Sequence, residues 1–124
     1  MLRKRLDGMK PNQVFLNHIL EEINFLIKET EGLKFEEFMQ NEVLKRACSR
    51  SIEIIGEAVK NLSTDFKKRY KDIEWKKISG LRDKIIHYYF GVNWDIVWDV
   101  IKNKLPELKE QVENILAKVK NEKV

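Results

Sequence analysis

Apolar residues recur at three- and four-residue steps along most of this chain, the spacing of helices that bury one face. After Pro11-Asn12, Leu16, Ile19, Leu20, Ile23, Leu26 and Ile27 alternate with Glu21, Glu22, Lys28 and Glu29, which predicts an amphipathic helix ending near Gly32. His18 stands alone on it, with no partner at metal-ligand spacing, and reads as a surface or packing residue. Leu33 to Gln40 predicts a short helical turn that lays Phe35, Phe38 and Met39 against the bundle. The strongest stripe follows: Leu44, Ala47, Cys48, Ser51, Ile55, Ala58 and Leu62 share one face, with Lys45, Arg46, Arg50, Glu53, Glu57 and Lys60 on others. Gly56 inside that helix costs about 1 kcal/mol relative to alanine, so another backbone or a ligand is expected to come close there. Spacing alone makes Glu53 and Glu57 a surface pair among Arg46, Arg50 and Lys60.

Asn61 to Asp65 ends this helix with cap-forming residues, after which Phe66, Tyr70 and Ile73 interrupt the basic run Lys67-Lys68-Arg69-Tyr70-Lys71. That run suits either an RNA backbone or plain solvent. Trp75 is expected to wedge into the core just before the segment that starts at Ser79. Farther on, Asn93 or Asp95 can cap a helix bearing Trp94, Val97, Trp98, Val100 and Ile101. Pro106 should kink or restart it at Leu105, before a last helix through Leu108, Val112, Ile115, Leu116 and Val119.

Composition narrows the class. The 124 residues suit one domain, 1–124, and the balance of 35% charged and 43% hydrophobic residues with five Gly and two Pro is that of a helical globular protein. A net charge of +4 permits an anionic partner without identifying one. The single Cys48 excludes an internal disulfide and a cysteine-rich zinc site. Met1 to Arg5 looks like the start of a signal peptide, but no apolar run follows and nowhere do 18 apolar residues stand together, so a soluble, cytoplasmic protein with no membrane partner is expected. Neither a Gly-rich phosphate loop, a His-Glu-x-x-His helix nor a nucleophile elbow occurs.

The candidate chemistry gathers on Ser79 to Gly91, which holds Arg82, Asp83, His87, Tyr88 and Tyr89. With Ser79 as cap and Gly91 as stop it reads as one helix of about three turns. A guanidinium forks onto phosphate oxygens, an imidazole moves a proton near neutral pH and a phenol donates a hydrogen bond, a set that needs no metal or cofactor. On an ideal helix Arg82 and Tyr89 fall nearly on one line while His87 is turned about 140° from Arg82, so one flat face cannot hold all three. A packed, aromatic-rich helix end is the bland alternative.

Arg82-Asp83-x-x-x-His87-x-Tyr89 resembles the signature of HepT-type toxins in the HEPN superfamily of helical ribonucleases. Framework stretches resemble the family too: Ile52-x-Ile54-Ile55-Gly56-Glu57-Ala58, Trp75-x-x-Ile78-x-Gly80-Leu81-Arg82, and Val97-Trp98-x-x-Ile101 leading into Leu105-Pro106-x-Leu108. The likeness spans roughly residues 12 to 117. It implies an all-α fold, an antiparallel up-and-down bundle of four main helices plus short ones, and a homodimer whose two copies complete one site. It implies that Arg82 and His87 are catalytic in metal-independent RNA cleavage, with Asp83 and Glu57 as supporting residues. It implies that a companion minimal nucleotidyltransferase of the MNT type, the antitoxin, transfers AMP to Tyr89, with Tyr88 the neighbour that packs. Two alternatives stay open: a HEPN-like module that binds nucleic acid or nucleotide and scaffolds the nucleotidyltransferase without cutting, and a purely structural helical dimer.

Overall fold

A computed structural model describes the backbone of residues 11–87 and 91–122, and the side chains of these residues other than 87 and 120–122. Its elements are α1 (Pro11–Thr30), α2 (Phe35–Met39), α3 (Glu42–Asn61), α4 (Thr64–Arg69), α5 (Trp75–Ser79), α6 (Leu81–Ile85), a two-stranded ribbon of β1 (Ile86–His87) and β2 (Gly91–Val92), α7 (Trp94–Asp99), a π-helical segment (Val100–Lys104) and α8 (Leu105–Glu122). The fold is an all-α bundle in which α1 packs along both α3 and α8. Among the described residues no helix is long and apolar enough to cross a membrane.

The stripes read from the chain face inward, and on α3 Ile52 and Val59, which that reading left out, join them, while Lys45, read as lying on another face, is buried too. Leu16, Ile19, Ile23 and Leu26 of α1 meet Cys48, Ile52, Ile55 and Val59 of α3 and Leu105, Leu108, Val112 and Ile115 of α8 in one buried core. Each such aliphatic side chain contributes about 1.5–3 kcal/mol on leaving water. Local signals set the ends: Asn41 and Ser63 accept from the amides of Leu44 and Phe66, and Gly32, at φ +76°, turns the chain out of α1. Asn12 Oδ1 accepts from the Ser63 amide at 2.9 Å and clasps the start of α1 to the end of α3.

The aromatic residues collect where α2 meets α7. Phe38, fully buried, packs on Trp94 at 6.2 Å and on Trp98 at 4.9 Å between ring centroids. Each indole also carries a lysine: Lys45 Nζ sits 5.0 Å from the Trp94 centroid and Lys102 Nζ 4.8 Å from that of Trp98. Both ammonium groups also donate to a carbonyl at a helix end, Lys45 to Met39 at 3.2 Å and Lys102 to Thr30 at 2.8 Å, where the helix dipole favours a cation. Lys45 is buried and adds Glu42 at 3.0 Å, whose carboxyl this hydrogen bond and charge hold below its ordinary range.

The disturbance expected at Leu105 is present, in the form of a π-helical segment that ends where α8 begins. Pro106 has no amide hydrogen and its ring crowds the carbonyl four residues back, and the helix absorbs this one turn earlier. The Leu105 amide bonds to the Val100 carbonyl, five residues back, and the π-helical segment leads from α7 into α8. The result is a helical path from Trp94 to Glu122.

Gly56 marks the close approach that its position in α3 implies. A methyl group built there would stand 3.3 Å from the Ser79 carbonyl oxygen and 3.4 Å from that of Ile78, so the end of α5 lies directly on the α3 backbone. Gly56→Val should therefore lower stability by about 1–3 kcal/mol through overpacking. In Gly56→Ala the helix-propensity gain and the crowding oppose each other, and the denaturation midpoint should move far less. Urea titration of both variants checks this, and a Val variant as stable as the parent would contradict the close approach.

Cys48 is fully buried, and burial, aided by the charge of Glu29, pushes its thiol up to about 11. The unfolded thiol ionises near its ordinary value of about 8.5. Between those values the unfolded chain gives up a proton that the folded chain keeps, so stability falls as pH rises. Relative to Cys48→Ala, the parent should lose stability from about pH 8.5 to 11, and at pH 8 its thiol should react with a disulfide reagent only after unfolding. Fast labelling of the native protein would show the group to be accessible.

Candidate active site

Two anchors deliver the segment that holds Arg82. Trp75, buried at the start of α5, packs on Phe66 and donates its indole N–H to the Tyr70 carbonyl at 3.0 Å. Four residues later the end of α5 lies on Gly56. Gly80 joins α5 to α6: its amide bonds back to Lys76 and its carbonyl accepts from Lys84. Ser79 is not the cap expected of it, since it closes α5 and its hydroxyl donates to the Lys76 carbonyl at 3.0 Å.

The three-turn helix expected over Ser79 to Gly91 is also corrected. α6 ends at Ile85; Ile86, at φ −101° and ψ 126°, is extended, and β1 pairs with β2 so that Ile86 faces Val92 and His87 faces Gly91. Gly91 takes φ +78°, and the Asn93 amide bonds to the Ile85 carbonyl at 2.6 Å, closing the ribbon onto α6. The run Ile85-Ile86-His87-Tyr88-Tyr89-Phe90 is made of β-branched and aromatic residues that favour extended backbone, and this preference outweighs the helix start. The helix that carries Arg82 therefore ends before His87. The side chain of His87, and all of Tyr88, Tyr89 and Phe90, lie outside the described residues.

Arg82 projects from α6 toward α3, where its Nε donates to Glu53 Oε2 at 2.8 Å. The Arg82 side chain keeps 52% of its surface open while Glu53 keeps 22%, so a largely covered carboxylate holds an open guanidinium by one edge. Asp83, 87% exposed, lies 3.8 Å from Nη1 and makes only a loose ion pair. The other Glu53 oxygen, Oε1, faces Arg50 Nη1 at 3.8 Å.

The carboxylate on Arg82 is thus Glu53, whereas Glu57, the residue singled out from the sequence, is exposed. Helix geometry explains the exchange. On α3 Glu53 and Glu57 are only about 40° apart around the axis and differ chiefly by about 6 Å along it, so the place where α6 crosses α3 selects Glu53.

An open cleft of about 670 Å³ lies on another side of the same segment, lined by Ile78, Leu81, Lys84, Lys104, Leu108 and Gln111 among others, and Arg82 does not line it. Arg82 stands instead on open surface between α3 and α6. The structure so far defines a helical-bundle protein that presents one carboxylate-oriented arginine, suited to a phosphate, on the segment that leads into a histidine-bearing ribbon. Comparison with known proteins gives that class its family: the description "Ribonuclease HepT-like" matches residues 19–115, and the chain belongs to the HepT-like ribonuclease family. A protein of Caldanaerobacter subterraneus subsp. tengcongensis named "Putative RNase" is 51% identical over 112 residues, covering 90% of this chain and 100% of that one. A "Putative RNase" of Methanocaldococcus jannaschii is 42% identical over 113 residues, covering 91% and 93%. A "Probable ribonuclease HepT" of Thermococcus cleftensis is 38% identical over 101 residues, covering 82% and 92%. No solved structure matches the chain.

Proposed function

We propose that this protein is the toxin of a HEPN/MNT toxin-antitoxin pair, a metal-independent endoribonuclease in which Arg82 and His87 are catalytic. The observation that carries this reading is the half-exposed Arg82 guanidinium, tethered at Nε by Glu53 and only loosely paired at Nη1 with Asp83, five residues before His87 in a chain of the HepT-like ribonuclease family. Held by one edge, the group is oriented before substrate arrives and keeps its remaining donors for phosphate oxygens.

In this mechanism the ribose 2′-hydroxyl attacks the adjacent phosphorus and its proton passes to His87. The O2′–P bond forms, the P–O5′ bond breaks, and the leaving oxygen takes a proton from the second protomer's His87 or from water, giving a 2′,3′-cyclic phosphate and a 5′-hydroxyl. Arg82 stabilises the charge gathered on the pentacoordinate phosphorus. The requirement for a 2′-hydroxyl makes the substrate RNA. Asp83 and Glu57 keep supporting places at the edge of this site, while Glu53 is the residue that positions Arg82. A site on open surface has no wall of its own against water, and a homodimer about a two-fold axis would supply one from the second copy.

Control falls to Tyr89. A nucleotidyltransferase antitoxin transfers AMP from ATP to Tyr89: the phenol oxygen bonds the α-phosphorus and pyrophosphate leaves. The added anion, on the segment shared with Arg82 and His87, repels an RNA phosphate without any change of fold.

Purified protein incubated with total RNA in chelator should cleave it. His87→Ala should remove about 10²–10⁴-fold of the rate, and Arg82→Ala about 10²–10³-fold. Cleavage undiminished in His87→Ala would overturn the assignment, and RNA bound but never cut by the parent would favour the non-catalytic module. Mass spectrometry after co-expression with a nucleotidyltransferase should place the added AMP on Tyr89; toxicity neutralised with Tyr89 unmodified would reject AMP transfer as the control.

A further inference from the structure

Glu53 holds two guanidinium groups, and only one of them has a place in the mechanism. Its Oε2 accepts from Arg82 Nε at 2.8 Å, while its Oε1 lies 3.8 Å from Arg50 Nη1. The two pairings differ in kind. That with Arg82 is a short, directed hydrogen bond between residues 29 apart in sequence. That with Arg50 is a long pair within one helix, three residues apart, and Arg50 keeps 66% of its side-chain surface in water. Such a pair contributes little to stability and leaves the guanidinium free to take another anion.

We infer that Arg50 is a second RNA-backbone residue, taking a phosphate next to the one engaged by Arg82. Both arginines reach the two oxygens of a single carboxylate, so their charged heads lie side by side on one open surface formed by α3 and α6. Glu53 is mostly covered and shared, so it spaces and orients the pair. Asp83, the other acid at this site, is 3.8 Å from Arg82 and 87% exposed, and it can swing away as a phosphate arrives. Arg46, one turn before Arg50 on α3, is 82% exposed with only a 4.0 Å approach to Glu42, and extends the basic edge in the same direction. A chain of phosphates, unlike a single small anion, can occupy two guanidinium groups at once. The division of labour follows: Arg82 acts where charge develops, and Arg50 holds the strand equally in ground and transition states, which affects KM and leaves kcat alone.

This inference rests on the ribonuclease reading, and salt dependence separates the two. In a His87→Ala background, binding of a single-stranded RNA oligonucleotide is measured by fluorescence anisotropy from 50 to 400 mM KCl. Removing one cation that neutralises a phosphate of a single strand should reduce the slope of log K against log salt by about 0.7. Arg50→Gln should weaken binding and show that reduction, Arg50→Lys should restore the slope, and Lys118→Gln on α8 should leave both unchanged. In the parent background Arg50→Gln should raise KM several-fold at constant kcat. If the parent binds and cuts RNA while Arg50→Gln keeps the full slope and KM, the inference is overturned and the ribonuclease reading stands. Should the parent neither bind nor cut RNA, both are overturned.

Discussion

The approach on which the rest of this structure turns is the one between the α3 backbone at Gly56 and the last carbonyls of α5. The missing Cβ eases this approach, since a methyl group there would stand 3.3 and 3.4 Å from the two carbonyl oxygens and push them back by a few tenths of an ångström. Because α5 ends there, Gly80 and α6 begin at a fixed place beside α3, and Arg82 arrives opposite Glu53 one turn along. A glycine that weakens its own helix thus sets the geometry of a charged pair from two different elements. Trp75, locked by its indole hydrogen bond at the other end of α5, keeps that short helix from pivoting.

Charge is used in two distinct ways. Lys45 and Lys102 are structural cations, each held against an indole face and a carbonyl at a helix end, so they join α1, α2 and α7. Arg50 and Arg82 do the reverse, with their anchors covered and their heads in water. Ammonium groups suit the first task because three rotatable donors adapt to a pocket; a planar fork that can be gripped at Nε while its other nitrogens stay available suits the second.

The ribbon after Ile85 connects these two regions. It leaves α6 immediately after Arg82's helix ends and runs through Asn93, whose side chain accepts from the Ile96 amide, into α7 and its lysine-clasped tryptophans. The backbone of His87 is therefore supported from both sides: the arginine-bearing helix before it, and the aromatic cluster behind it.

Much of the bundle was legible in the order of residues. The stripes of α1, α3 and α8, the caps at Asn41 and Ser63, the wedge at Trp75 and the close approach at Gly56 all follow from local periodicity and residue chemistry, because each depends on neighbours within one or two turns. Less was legible where local signals conflict or where a partner is distant. The segment from Ser79 to Gly91 carries both helix-start and strand-favouring residues, and where the second set takes over, after Ile85, is marked by the pairing of Ile86 with Val92 across the ribbon. Pro106 announced a disturbance at Leu105, but its form, a π turn that leaves Val100, Ile101, Leu105 and Leu108 all buried, came only with the packed bundle. The partner of Arg82 lies 29 residues away, so only the crossing of two helices could choose Glu53 over Glu57. The sequence by itself determined which faces are apolar and which residues can do chemistry; tertiary structure alone decided which of those residues meet, because that depends on how elements cross.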